Sequence, residues 1–289
     1  MRNNYTNKES MIVNLDKKFT PLSGTEIQFE SFTFSGGEPH IKIRPEFNTS
    51  ETVTITHRLN SFNDVGLLLI AVDALRRMHV EKINLFVPYF PAARQDRVMV
   101  KGEPLTAKVY ADLLNSLKLN KITVFDAHSE VTPALLNNCE AIPNHRFIQE
   151  VLKRTSLNCL LISPDGGALK KIYKVSEYLG GVPVVECSKS RDVTTGKLKG
   201  FKVYADDLEG KDCLIVDDIC DGGGTFIGLA EELTKKNCGD IYLAVSHGIF
   251  SQGFENFKPA FKKIFTTDSF QNIESDYITQ IKIADGLLS

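Results

Sequence analysis

The run Cys213–Thr225, CLIVDDICDGGGT, sets the tightest limits on how this chain can fold. Its first four residues are apolar without alternation, the pattern of a strand covered on both faces, as in a parallel sheet flanked by helices. Asp217, Asp218 and Asp221 follow, then Gly222, Gly223, Gly224 and Thr225, and FIGLAEELTKK continues at helical spacing. A buried strand that passes through acids and glycines into a helix reads as the ligand-bearing end of an α/β sheet.

The glycines lack a Cβ, so the backbone there can adopt positive φ and approach a ligand closely. Successive N–H groups can then converge as an anion nest, backed by the unpaired N–H groups and dipole of the helix. Carboxylates just ahead of the nest would repel a bare phosphate; they suit sugar hydroxyls or a divalent cation. No Gly-Lys-Ser/Thr follows, which excludes the P-loop pattern, and Ile227 stands where a dinucleotide fingerprint needs its third glycine. A tight strand-to-helix connection without a ligand is the plain alternative. The stretch resembles the phosphoribosyl-diphosphate motif of type I phosphoribosyltransferases. It is most similar to the version in ribose-phosphate pyrophosphokinases: Asp-Asp, two apolar residues, then Asp-Thr-Ala/Gly-Gly-Thr. Gly222 takes the place of the first threonine, keeping a backbone donor and losing a hydroxyl.

A chain of 289 residues has room for two domains and a substantial core. Its net charge of −2 argues against a nucleic-acid-coating role. No apolar run approaches the roughly 18 residues of a membrane span, and the opening MRNNYTNKES is too polar for a signal peptide. The six cysteines form no CxxC pair, so reduced thiols and a cytoplasmic location are expected.

Residues 11–58 alternate in short runs, MIVNL, EIQFESFTF, HIKIR and TVTITHR, and read as strands. Between them, FSGGEPH is a Gly-Gly turn carrying Glu38. DVGLLLIAVDALRRM is apolar all round, a buried helix for which Asn60 or Asn63 is a candidate cap. KINLFVPYF is a central strand followed by PAARQDRVMVKGEPLTAK, and KITVF is a strand ending at Asp126 and His128. The boundary between two halves falls near Pro143–His145, after a short PALLN helix. From HRFIQEVLKR onward a second strand–helix series runs through CLLISP, DGGALKKIYKVSEYL, VPVVECSK, DCLIVDDI and IYLAVSHGIF. Each half therefore predicts an α/β domain with a mostly parallel sheet. Read alone, Arg94–Arg97 fits a surface ion-pair cluster or a purine and phosphate contact. Likewise Asp165 fits a helix N-cap or a metal ligand, and Lys189–Asp192 a polar loop or a mobile cation pair.

The same segments extend the resemblance to nearly the whole chain. PYF-PAARQDR with EPLTAK is similar to the pyrophosphokinase signature Pro-Tyr-x-x-x-Ala-Arg-Gln-Asp-Arg…Glu-Pro-x-Ser/Thr-Ala-Lys; Asp-x-His, Ser-Pro-Asp-x-Gly, Lys-x-Arg-Asp and the Thr267–Ser269 region also match. Val98, Met99 and Val100 depart from it, standing where many members are basic, and Gly36 replaces an acid or amide. The resemblance implies two tandem type I phosphoribosyltransferase-like domains, 1–144 binding nucleotide and 145–289 binding ribose phosphate. It implies transfer of the β,γ-diphosphoryl group of ATP to the anomeric hydroxyl of ribose 5-phosphate, with Mg²⁺ as cofactor. In residues of this chain, Lys189 and Arg191 are the implied catalytic groups. Phe34, Gly36, Gly37, Glu38, Arg94, Gln95, Asp96 and His128 are implied to bind ATP. Arg191, Asp217, Asp218, Asp221 and Gly222–Thr225 (with Gly223 and Gly224) are implied to hold ribose 5-phosphate, and His128 and Asp165 the metal, with Asp126 orienting His128. The Phe34–Glu38 turn is implied to complete a neighbouring subunit's nucleotide site, hence a homo-oligomer, a dimer or larger such as a hexamer. No nucleic acid or membrane partner is implied. A phosphoribosyltransferase is the second reading, disfavoured by length and by the RQDR segment. A catalytically silent partner subunit is the third, disfavoured by retention of Lys189, Arg191 and the loop acids.

Overall fold

The computed structural model describes residues 10–155, 158–191 and 198–288, with residues 190, 191, 198 and 199 described by backbone alone. The chain divides into two compact units, Met1–Ile142 and Pro143–Ser289.

The first unit begins with β1 (Met11–Asn14), β2 (Thr25–Glu26), β3 (Phe29–Thr33), β4 (Pro39–Ile43), β5 (Val53–Thr56) and α1 (Phe62–Arg77). It continues with β6 (Ile83–Phe86), α2 (Thr106–Ser116), β7 (Lys121–Phe125), α3 (Val131–Leu135) and β8 (Cys139–Ile142). Six strands form a parallel sheet in the order β2-β1-β5-β6-β7-β8, and β3 and β4 form a separate antiparallel hairpin. The all-round apolar character of α1 has a direct cause. Val65, Leu68, Val72 and Leu75 share one core with sheet residues such as Ile55 and Leu85 and with hairpin residues Ile41 and Ile43. Gly66 lies under the hairpin, where a Cβ would sit 3.3 Å from Pro39.

Two local expectations change. The cap of α1 is Ser61, not Asn60 or Asn63: Ser61 and Asp64 form a reciprocal capping box, and Asp64 Oδ2 also accepts the Asn60 amide at 3.0 Å. The strand β8 has no counterpart in the sequence reading, because CEAI is short, half-exposed and at the sheet edge. It nevertheless matters, since the Asp126 amide donates to the Ile142 carbonyl at 2.7 Å and fixes the turn after β7.

Strand order reverses between β1 and β5, the switch point where open sheets usually hold a ligand. Here that point is filled by side chains. The Arg58 guanidinium donates to Asp16 at 2.6 Å and lies 5.1 Å from the Phe19 ring centre, while Thr56 donates to Asn14 at 2.7 Å. His57, 3% exposed, sits beside them with neither ring nitrogen hydrogen-bonded. Burial pushes its pKa below 6.5, against the opposing pull of Asp64 and Asp16. At His57 the folded chain therefore binds fewer protons than the unfolded chain below 6.5, and this group's contribution to stability falls as pH drops through that range. Urea unfolding at pH steps from 7.5 to about 5 is expected to show a shallower acid decline for His57→Phe than for the parent. Parallel declines would exonerate His57.

The second unit comprises α4 (His145–Thr155), β9 (Cys159–Ser163), α5 (Leu169–Tyr178), β10 (Val184–Arg191), β11 (Leu198–Val203) and β12 (Asp212–Cys220). Then follow α6 (Gly224–Thr234), β13 (Ile241–Gly248), β14 (Lys263–Thr267) and β15 (Ile278–Ile281). The seven-stranded order is β11-β10-β9-β12-β13-β14-β15, parallel except where β10 meets β11. All six cysteines are free thiols. Burial raises Cys159 to about 11 and Cys187 to about 12, so both behave as apolar core groups. Among the described residues no helix is long and apolar enough to cross a membrane.

Candidate active site

In the second unit the connections from β9 turn to opposite sides, β10 on one and β12 on the other. This switch point, where open sheets usually hold a ligand, lies between the end of β9, which carries Asp165, and the end of β12, which carries the glycine loop. The loop takes the form that its residues allow. Gly223 is the N-cap of α6 at φ 81°, and no side chain caps the helix, which leaves its first N–H groups for an anion. A Cβ at Gly223 would stand 2.1 Å from Phe257 Cζ, so this glycine is required by conformation and by space. Gly222 is different: a Cβ there would meet only Gln252 Cγ at 3.6 Å, and the fold does not demand the missing side chain. Beneath the loop, the amides of Ile249 and Phe250 both reach the Cys220 carbonyl, at 2.8 and 3.2 Å, clamping the end of β12 to the segment after β13.

The acids at this sheet end have different surroundings. Burial pushes Asp217 well above the usual carboxylate range, and the charges of Asp218 and Asp165 push the same way. Asp217 keeps one compensating contact, accepting the Asp218 amide at 2.9 Å. Asp218 is buried and lies 3.8 Å from Lys171 of α5. Asp165 divides its work between its two oxygens. Oδ1 accepts the amides of Gly167 and Ala168 at 2.8 and 3.2 Å in the turn before α5, while Oδ2 is paired with Lys189. Asp165 is therefore not the N-cap of α5, which is Ala168 without a side-chain cap; its carboxylate closes the turn ahead of the helix and pairs with Lys189.

Lys189, Ser190 and Arg191 do not start an irregular loop; they extend β10, pairing with β11 through a register shift at Ser190/Arg191. Edge pairing satisfies the backbone of this polar segment, which is why polarity alone misleads. The Arg191 side chain lies outside the described residues, as do Asp192, Thr194, Thr195 and Gly196. His247, for which the sequence offers no role, is buried with Nδ1 2.7 Å from Ser269 Oγ; that hydroxyl also donates to the Ser246 carbonyl at 2.9 Å.

In the first unit, Arg94 and Gln95 are exposed on the loop after β6. Asp96 is 6% exposed and turned inward, accepting from Ser129 Oγ at 2.6 Å and Arg97 Nε at 3.0 Å. Burial raises its pKa, but those two hydrogen bonds and the nearby His128 outweigh burial and hold it low. Asp96 therefore ties the Arg94–Arg97 loop to the loop bearing His128, which is half-buried after β7. Asp126 is buried and left-handed at φ 41°. Phe34 is 53% exposed at the tip of the β3–β4 hairpin, its ring edge-on to Phe32 at 4.8 Å. The tip closes through Phe34 N–H to the Glu38 carbonyl and Gly37 N–H to the Phe34 carbonyl, with Gly37 at φ 97°. A side chain at Gly36 would meet the Glu38 carboxylate within 3 Å, so glycine leaves that carboxylate free to lie over the turn.

Among the described residues no three His, Cys, Asp or Glu side chains converge as a metal cage. Mg²⁺ does not need one, because it keeps its waters and binds through one or two carboxylates and substrate phosphates. Asp165 fits that role through Oδ2, a hard oxygen next to two more acids. Lys171, Ser129 and Phe257 are the contributors that sequence reasoning misses. Only Lys171, a cation two residues into the helix after Ser-Pro-Asp, carries a visible hint.

A parallel sheet whose strand ends carry a left-handed glycine cap at a helix N-terminus, buried acids and a paired lysine has the architecture of a type I phosphoribosyltransferase-like protein. The N-terminal domain of ribose phosphate pyrophosphokinase matches residues 18–117, and the phosphoribosyl transferase domain matches residues 142–277. The ribose-phosphate pyrophosphokinase of Thermococcus kodakarensis is 32% identical over 78% of this chain and 80% of its own. That of Mycoplasmopsis pulmonis is 32% identical over 73% of this chain and 67% of its own. The crystal structure of phosphoribosylpyrophosphate synthetase from Mycobacterium smegmatis shares the fold, with a TM-score of 0.82 at 22% identity and 97% coverage of both chains. The chain belongs to the ribose-phosphate pyrophosphokinase family, a family of diphosphoryl-transferring enzymes.

Proposed function

We propose that this protein makes 5-phosphoribosyl 1-diphosphate and AMP from ribose 5-phosphate and ATP. The observation that carries the reading is the strand-end arrangement of the second unit. An uncapped helix N-terminus behind Gly223 suits the 5-phosphate, and Asp217 and Asp221 ahead of it suit the ribose hydroxyls. Asp218, held by Lys171, supports that pair from behind. Arg94, Gln95 and His128 bind ATP in the first unit, with Asp96 acting through position by joining their two loops. The exposed Phe34 tip, with Gly36, Gly37 and Glu38, serves the nucleotide of a neighbouring subunit in a homo-oligomer of two or more chains.

Transfer proceeds by in-line attack of the anomeric hydroxyl on the β-phosphorus of ATP, with AMP leaving and no covalent enzyme intermediate. Catalysis is then positioning and charge neutralisation. Lys189 and Arg191 at the end of β10 supply positive charge to the migrating diphosphoryl group. Asp165 in the second unit and His128 in the first are each proposed to meet substrate-borne Mg²⁺, which would supply positive charge against the phosphate oxygens. The enzyme works in the cytoplasm, in keeping with its free thiols. Purified protein with MgATP and ribose 5-phosphate is expected to release AMP and phosphoribosyl diphosphate in equal amounts. ATP turnover that ignores ribose 5-phosphate, or none at all, overturns the assignment; a parallel GTP series with and without inorganic phosphate reads nucleotide choice and activation.

A further inference from the structure

The contact between Lys189 and Asp165 joins two residues to which the proposed reaction gives separate tasks. Their meeting is built into the sheet. Strands β9 and β10 are parallel neighbours in register at Ser163 and Glu186, so Asp165 and Lys189 leave the same sheet end two and three residues further on. Both side chains are largely covered, at 20% and 28% exposed. Asp165 Oδ1 is committed to the amides of Gly167 and Ala168, leaving Oδ2 as the oxygen that can meet a cation, and Lys189 holds it. Around it stand Asp217 and Asp218, with Lys171 against Asp218 as the other basic group paired to this acidic cluster among the described ion pairs.

We propose that Lys189 is an internal counter-ion for the divalent-cation position: its ammonium neutralises Asp165 Oδ2 in the ligand-free enzyme and is displaced when the cation binds. An ammonium and a divalent ion on one carboxylate oxygen would place three positive charges within a few ångströms, and the repulsion excludes joint occupancy. Exchange costs little, because the carboxylate is never left bare. The released lysine is then available to the transferring diphosphoryl group, and it is withheld while the cation is absent. This rests on the metal and lysine roles proposed above.

Two readouts independent of turnover test it. Binding of Mn²⁺ alone is followed by electron paramagnetic resonance in the parent, Lys189→Met, Lys171→Met and Asp165→Asn. Lysine acetylation by limiting acetic anhydride, quantified by mass spectrometry, is followed in the parent with and without Mg²⁺. Exchange predicts that Lys189→Met tightens Mn²⁺ at least fivefold while Lys171→Met changes it less than twofold, and that Mg²⁺ speeds acetylation of Lys189. Equal tightening by both substitutions reduces the effect to general charge and overturns the proposal, as does Mg²⁺-independent acetylation of Lys189. Unchanged Mn²⁺ binding in Asp165→Asn also overturns it, and places the fault in the metal assignment rather than in the exchange. A negative AMP assay alongside successful exchange would instead place the fault in the proposed reaction.

Discussion

Asp217→Asn is expected to give a protein that is more stable and nearly inactive. Asp217 has its pKa raised by burial and by the charges of Asp218 and Asp165. A carboxyl whose folded pKa exceeds the unfolded 3.8 binds more protons in the folded state, so its favourable contribution is present in acid and lost as pH rises through the folded pKa. At neutral pH the acid is therefore a burden on the ligand-free enzyme. Asparagine removes that burden and keeps an oxygen for the Asp218 amide, which Asp217 accepts at 2.9 Å. A gain on the order of 1 kcal/mol, about 2–4 °C in melting temperature, is expected at pH 7.5 and should shrink toward acid pH. Function moves the other way. Hydrogen bonds from hydroxyls to a charged group contribute roughly 1.5–3 kcal/mol each, so losing the charge at two ribose hydroxyls should lower kcat/KM by about 10²-fold or more. Thermal melts at two pH values and steady-state kinetics in ribose 5-phosphate check both halves. A destabilised variant, or one with parental kinetics, would remove Asp217 from the sugar site.

That opposition explains what the sequence could announce. An uninterrupted apolar strand ending in adjacent acids is a local conflict between burial and charge, and such conflicts mark sites where a ligand supplies the compensation. The same holds for Asp165 at the end of CLLISP and Asp126–His128 at the end of KITVF. Parallel-sheet architecture was legible for a related reason, since strands covered on both faces are apolar throughout and alternate with amphipathic helices. What escaped is what depends on partners distant in the chain. Phe257, 34 residues beyond Gly223, forbids any side chain there, and nothing in ENFKP signals it. Ser129 meets Asp96 only because β6 and β7 are neighbours. The cap of α1 is Ser61 rather than either flanking asparagine, and Ser61 with Asp64 three residues on is itself a capping-box pattern. Lys189 was legible by type, but its pairing with Asp165 depends on the register of β9 and β10.

Gly223→Ala tests the loop itself, and two independent penalties should add. At φ 81° an alanine Cβ costs about 1–2 kcal/mol through contact with its own backbone. That Cβ would also stand 2.1 Å from Phe257 Cζ and 2.6 Å from Cε1, so the ring must move. Phe257 is fully buried and packs edge-on to Phe250 at 5.9 Å and against Phe261 at 6.0 Å, which leaves no easy direction of retreat. Overpacking of this kind costs about 1–3 kcal/mol more, for a total near 3 kcal/mol or above. Because the Phe250 amide helps clamp the Cys220 carbonyl beneath the loop, displacing the aromatic cluster should also misalign the nest. The KM for ribose 5-phosphate is expected to rise by about tenfold or more. Phe257→Leu in the same chain separates the penalties: relief of the clash should recover more than about 1 kcal/mol relative to additivity, while the backbone strain persists. Denaturant unfolding of the parent, both single variants and the double variant measures this coupling. If Gly223→Ala lies within about 0.5 kcal/mol of the parent, the left-handed cap and its contact with Phe257 are not what shapes the phosphate end of the site.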